Sequence, residues 1–254
     1  MNKIFFGGFC ALALTMGISR FTYTPLLPVM QDETILGIAS GGWLATIHYF
    51  GYLFGVLTTL KTLSLRSREL FYFFGLLMSV LSTFMMALAE NFLLWSVARF
   101  IAGFCGAAGI IIGAGLVMQW LADNTNQKPQ MGKYFAGAGI GIVISALGSM
   151  LFKVLGFSWD HQWIAYGIIA TFLFFLAWFL RPKLTHTKKT SISGSFTKKN
   201  QTSKKLAIKP KGLYKLLLMY FFSGFAFVIS ATFTVSIVKL SPEIQHLGDF
   251  VWLL

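Results

Sequence analysis

Arg20, His48 and Arg99 each fall inside a long run of apolar residues, where a charged or titratable side chain has most to lose. An arginine near the centre of a membrane-spanning helix costs at least about 2.5 to 3.5 kcal/mol, so it normally faces a partner or a water-filled cavity. At 1.5 Å per helical residue, Arg20 lies about 24 Å along its run, Arg99 about 10 Å into its own and His48 about 15 Å into its own. With the runs alternating in direction, the three groups reach similar depth. Tyr23 and Thr24, about one turn beyond Arg20, share its helix face. Pro25 and Pro28 follow and remove backbone donors, so the outer part of this helix is expected to bend or to line a cavity.

None of the full runs contains an aspartate or glutamate, and Glu90 stands only at an edge. Buried positive charge needs compensation, which leaves two sources: an anionic solute, or a carboxylate on helices outside this chain. The competing reading of Arg20 is a side chain reaching out to the interface. For His48 it is a neutral, hydrogen-bonded packing residue rather than a proton carrier. Trp43 and Gln119, close to run ends, read as interfacial anchors.

Other chemistry is excluded by pattern. The metalloprotease HExxH, the serine-hydrolase GxSxG, the Walker phosphate loop and paired intramembrane aspartates are all missing from the sequence, so an enzyme is not expected. Cys10 and Cys105 lie inside apolar runs, where a thiol behaves as a small hydrophobe, and give no disulfide, metal or cofactor argument.

The elements that must position these residues follow from composition. Of 254 residues, 56% are hydrophobic and 11% charged, whereas a soluble domain carries about a quarter charged residues. Seven full apolar segments run from Ile4 to Met30, Ile38 to Leu60, Leu70 to Ala89, Phe92 to Leu121, Gly132 to Leu155, Gln162 to Leu180 and Leu213 to Val238. Each suits a helix crossing about 30 Å of hydrocarbon. An eighth begins near Leu247 and is too short to cross before Leu254. The opening, from Lys3 onward, resembles a signal peptide, but its apolar character continues to Met30 without a cleavage site, so it reads as a retained first helix. The expected class is all-α and polytopic.

Small residues recur at four-residue spacing: Gly51 and Gly55, Gly103 and Ala107, Gly109 and Gly113, Gly137 and Gly141. Such faces let helix backbones approach closely and mark packing surfaces.

The net charge of +13 raises the question of nucleic acid, but the placement of the charges excludes it. Lys3, then Lys61, Arg66 and Arg68, then Lys128 and Lys133 fall in connectors on one side, with Asp32, Glu33, Glu90 and Asp160 on the other. Lysine and arginine favour the cytoplasmic face, which puts the N-terminus inside. Residues 181–212 hold ten Lys or Arg among Ser, Thr, Asn and Gln and read as a cytoplasmic linker. The expected division is therefore a six-helix bundle over 1–180, a basic linker over 181–212, and the start of a second bundle over 213–254.

This layout resembles the first half of the major facilitator superfamily. GISRFTYTPLLPVMQ from Gly17 to Gln31, followed by GGWLATIHYFGYLFG from Gly41 to Gly55, is similar to the opening of its YbfB/YjiJ-type branch. The resemblance implies a multi-pass protein of the bacterial cytoplasmic (inner) membrane that moves a small solute across the lipid bilayer, with proton-coupled efflux as one form; an anionic solute is one of the two sources of countercharge for the buried arginines. It implies Arg20, Tyr23, Thr24, His48 and Arg99 as one wall of a substrate-binding or coupling site. Arg99, Gly103 and Ala107 resemble the fourth-helix pattern whose arginine is associated with proton coupling. Gly137 to Ala146 resembles the fifth-helix antiporter pattern, with Ile142 in place of its proline. The loop from Lys61 to Arg68 lacks the usual aspartate. Against twelve-helix members the chain reads as incomplete; the alternative is a non-transporting fragment or a half-transporter that needs a partner chain.

Overall fold

The computed structural model describes residues 2–61, 64–124, 131–182 and 210–240. Every regular element among them is helical. The chain is an all-α polytopic membrane protein, and each of the seven apolar runs corresponds to one helix: Lys3–Glu33, Ile38–Thr59, Leu65–Met85, Phe92–Asn124, Met131–Val154, Trp159–Phe179 and Pro210–Leu240.

Six of the seven are long and apolar enough to cross a membrane by length and composition, and the second, Ile38–Thr59, is a helix of 22 residues. Its apolar residues are interrupted by Gly41, Gly42, Gly51, Gly55, His48, Tyr49, Tyr52 and Trp43. Gly51, Gly55 and His48 make it the helix that packs most intimately on the fourth. The third helix starts at Leu65 rather than Leu70, because the Ser64 hydroxyl accepts from the Ser67 amide and caps it.

The described residues fall into two units, one holding those up to Pro182 and the other those of 210–231. In the first unit the first helix is the centre. Every residue from Cys10 to Pro28 is buried except Arg20, and the helix packs against the third, fourth, fifth and sixth. Between helices in lipid no hydrophobic driving force operates, so close backbone contact and hydrogen bonds hold the bundle. Gly17 and Gly141 meet so closely that a Cβ on either would overlap the other's Cα, and Gly137 lies against the Phe9 carbonyl. Beside that crossing, the Ser145 hydroxyl bridges Thr22 at 2.9 Å and the Gly17 carbonyl at 3.2 Å. At the far end of the first helix the Glu33 carboxylate accepts the Trp159 amide at 2.8 Å, holding the start of the sixth.

Outward-facing side chains of the first unit are apolar: Phe50, Leu53, Phe54 and Leu57 on the second helix, Leu147 and Leu151 on the fifth, Ile168 and Phe172 on the sixth. The seventh helix is apolar all round, as suits a helix in hydrocarbon. Residues 183–209 of the basic linker, Lys128, and residues 241–254 with the start of the eighth run lie outside the described residues.

Candidate functional site

His48 and Arg99 are set by the crossing of the second and fourth helices. A Cβ on Gly51 would overlap the Phe100 carbonyl, one on Gly55 the Phe104 carbonyl, and one on Gly103 the His48 carbonyl. With glycine at each point the two backbones touch, and Arg99, one turn before Gly103, is carried to the level of His48. Both side chains are buried, at 3% and 2% exposure.

The first helix brings the third cationic group. It changes winding on the way: Ala13–Phe21 is π-helical, followed by α-helix over Tyr23–Glu33, which passes through Pro28 without breaking. Sequence reasoning expected the disturbance in the outer part, at and after the prolines. It lies instead in the turns before Pro25, where the wider helix accommodates the missing proline donor and the ring's conflict with the preceding carbonyls. The fourth helix has a second π-helical stretch, Ala108–Gly113, in which Gly109 lies against Thr15 of the first. The Tyr134 hydroxyl of the fifth helix donates to the Gly109 carbonyl.

Arg99 donates from one guanidinium nitrogen to the Ser19 carbonyl at 3.1 Å. Its guanidinium carbon stands 4.4 Å from the centre of the Tyr23 ring, and the Tyr23 hydroxyl donates to the Gly41 carbonyl at 2.8 Å. Arg20 is half-buried, with its guanidinium 4.9 Å from the Phe21 ring centre and 5.2 Å from that of Tyr49. Its contact with a polarisable atom is Met16 Sδ at 3.6 Å. His48 is within electrostatic reach of both arginines. Nε of Arg20, Nε of Arg99 and Nδ1 of His48 are buried without a hydrogen-bond partner among the described residues. Two guanidinium groups and an imidazole therefore converge with spare donor capacity, and such a cluster is suited to hold an anion.

Of the five residues singled out, Arg20, His48, Arg99 and Tyr23 stand together, with Tyr23 turned to Arg99. Thr24 is buried in the same helix at 5% exposure. Missed by sequence reasoning were Tyr49, which packs on Arg20, and Ser19, whose backbone carbonyl takes Arg99. Tyr49 adjoins His48 in sequence and was open to inspection; an acceptor on the backbone leaves no mark in residue type. Cys10 and Cys105 are buried free thiols.

Residues 12–254 match the family described as uncharacterised MFS-type transporter YbfB. The chain belongs to that family. Among similar proteins, the uncharacterized transporter mfc1 of Schizosaccharomyces pombe is 26% identical over 166 residues, covering 65% of this chain and 33% of the relative. The uncharacterized MFS-type transporter YceJ of Bacillus subtilis is 27% identical over 107 residues, covering 42% of this chain and 27% of the relative. The chain thus spans about a third or less of each relative's length. As a YbfB-type protein it is a multi-pass membrane protein of a transporter family.

Proposed function

We propose that this chain forms the N-terminal wall of the pathway in a secondary transporter for a small anionic solute. Arg20, Arg99, Tyr23, Thr24 and His48 line that wall, with the N-terminus in the cytoplasm and the inner membrane as the site of action. A second set of helices completes the pathway and rocks against the first, the general mode of such transporters.

The observation that carries the reading is Arg20. Its guanidinium is half-buried between Phe21 and Tyr49, near the buried Arg99, with its Nε unpartnered. A carboxylate or similar anion entering beside it would supply the countercharge that the described residues around it do not. In this reading His48, close to both arginines, exchanges a proton only when the entering anion offsets their charge.

The test extends this chain beyond its seventh helix with the remaining helices of a C-terminal half and measures solute flux in proteoliposomes across a panel of organic anions. Arg20→Ala is expected to abolish flux at normal expression, and Arg20→Lys to weaken it, because the flat two-donor edge is lost while the charge is kept. Unchanged flux in Arg20→Ala would overturn the proposal.

A further inference from the structure

Lys3, Phe5, Phe6, Phe9, Lys133 and Leu180 enclose a cavity of about 480 Å³ where the starts of the first and fifth helices meet the end of the sixth. This is the end of the bundle opposite Glu33, far from the arginine cluster. Its two lysines are exposed, and no carboxylate lines it. Its wall is aromatic: Phe6 and Phe9 stack with ring centres 5.9 Å apart and planes within 9°. Phe6 is 48% exposed, so the rings present a face to the bilayer.

The walls are held close by backbone contact. Gly7, one turn from Lys3, lies against the Leu180 backbone; Gly137, one turn from Lys133, lies against the Phe9 carbonyl; Gly8 lies against the Tyr134 ring. The two ammonium groups are therefore carried on helix ends whose separation is fixed by touching main chains rather than by flexible side-chain packing.

We infer that this cavity is a binding site for an anionic phospholipid, its phosphate between Lys3 and Lys133 and an acyl chain along Phe6 and Phe9. Two neighbouring cavities show what sets it apart. The one lined by Arg66, Leu70, Phe73 and Trp178 contains Glu69, which offsets its arginine. The one lined by Phe71, Phe74, Met78, Phe100 and Phe104 has no charged residue and suits any lipid tail. Positive charge without a carboxylate, joined to an apolar face at membrane level, occurs together in the first and selects a lipid that has both a net negative headgroup and a chain.

The test is native mass spectrometry of the purified full chain with phosphatidylglycerol and with phosphatidylcholine of the same acyl composition. The first phosphatidylglycerol is expected to bind at least about tenfold more tightly than phosphatidylcholine. Lys3→Gln with Lys133→Gln is expected to weaken it about 30-fold, and either alone about fivefold. Lys188→Gln with Lys189→Gln, in the basic segment, is expected to leave it unchanged, and Lys3→Arg with Lys133→Arg to keep it. On the wild-type chain, a phosphatidylglycerol with a photoreactive acyl chain is expected to label the peptide bearing Phe6 and Phe9, so a failure of the glutamine variants to fold leaves the question decidable. Equal affinity for the two lipids, labelling confined to other peptides, or loss of binding only in the Lys188 and Lys189 variant would overturn the inference. Displacement of the lipid by millimolar inorganic phosphate would also overturn it, marking a free-anion pocket instead.

Discussion

The Arg99 guanidinium lies 4.4 Å from the centre of the Tyr23 ring, and that same tyrosine donates its hydroxyl to the Gly41 carbonyl at 2.8 Å. One side chain on the first helix thereby ties a charge on the fourth helix to the backbone of the second. A desolvated cation–aromatic contact is worth about 2 kcal/mol, and a hydrogen bond from a charged donor about 1.5 to 3 kcal/mol. Together these offset part of the cost of burying Arg99 without a carboxylate.

It follows that Arg99 and Tyr23 differ in what they do for stability. Arg99→Met removes a buried charge and fills similar space, so the thermal unfolding midpoint in detergent is expected to stay level or rise. Tyr23→Ala leaves a cavity and strips the arginine of its aromatic cover, with an expected loss of about 3 kcal/mol or more. Equal losses in the two variants would mean that the charge itself holds the bundle together.

Glycine positions in the fourth helix are expected to separate sharply. A methyl group on Gly103 meets the His48 carbonyl, whereas one on Gly115 meets nothing within 4 Å. Gly103→Ala is expected to destabilise by about 1 to 3 kcal/mol, and Gly115→Ala to be neutral or stabilising by up to about 1 kcal/mol. Unfolding in mixed micelles of increasing SDS content measures both, and a neutral Gly103→Ala would contradict the close crossing.

The link between Glu33 and the Trp159 amide makes a local prediction. Glu33→Ala removes a charged acceptor from the start of the sixth helix, with an expected cost of about 1.5 to 3 kcal/mol. Hydrogen exchange at the amide of Trp159 is expected to quicken by at least tenfold while amides at the Gly17–Gly141 crossing stay protected. Unaltered exchange at Trp159 would show that the Glu33 link does not hold the start of the sixth helix.

The helices were legible because their signal is local: about twenty apolar residues in succession can be counted without knowing what surrounds them. At the second helix, His48, two tyrosines and four glycines interrupt the apolar run and suit one face to a close neighbour while Phe50, Leu53, Phe54 and Leu57 face outward. The π-helical stretch at Ala13–Phe21 was not legible. Within it Gly17 meets Gly141, more than a hundred residues away, a contact that no local pattern announces. Likewise, distance along a helix gives the depth of Arg20, His48 and Arg99, but rotation about the axis decides what each one faces. That rotation is why Tyr23 turns to Arg99 and Tyr49 to Arg20, and why the Ser19 carbonyl, which any residue type could have supplied, receives the charge.

The central position of the first helix has a consequence for the order in which the chain is made. Part of its seat is Ser145, which reaches the Gly17 carbonyl from 128 residues further on. At about 5 to 20 residues per second, the ribosome needs about 6 to 26 s to produce that partner. Throughout that interval Thr15, Ser19, Arg20, Thr22 and Thr24, all destined for the interior or its edge, have no fifth helix to pack against. This helix thus waits for neighbours made long after it, and it must be sheltered by the insertion machinery, or lie near the bilayer surface, until the fifth and sixth helices arrive.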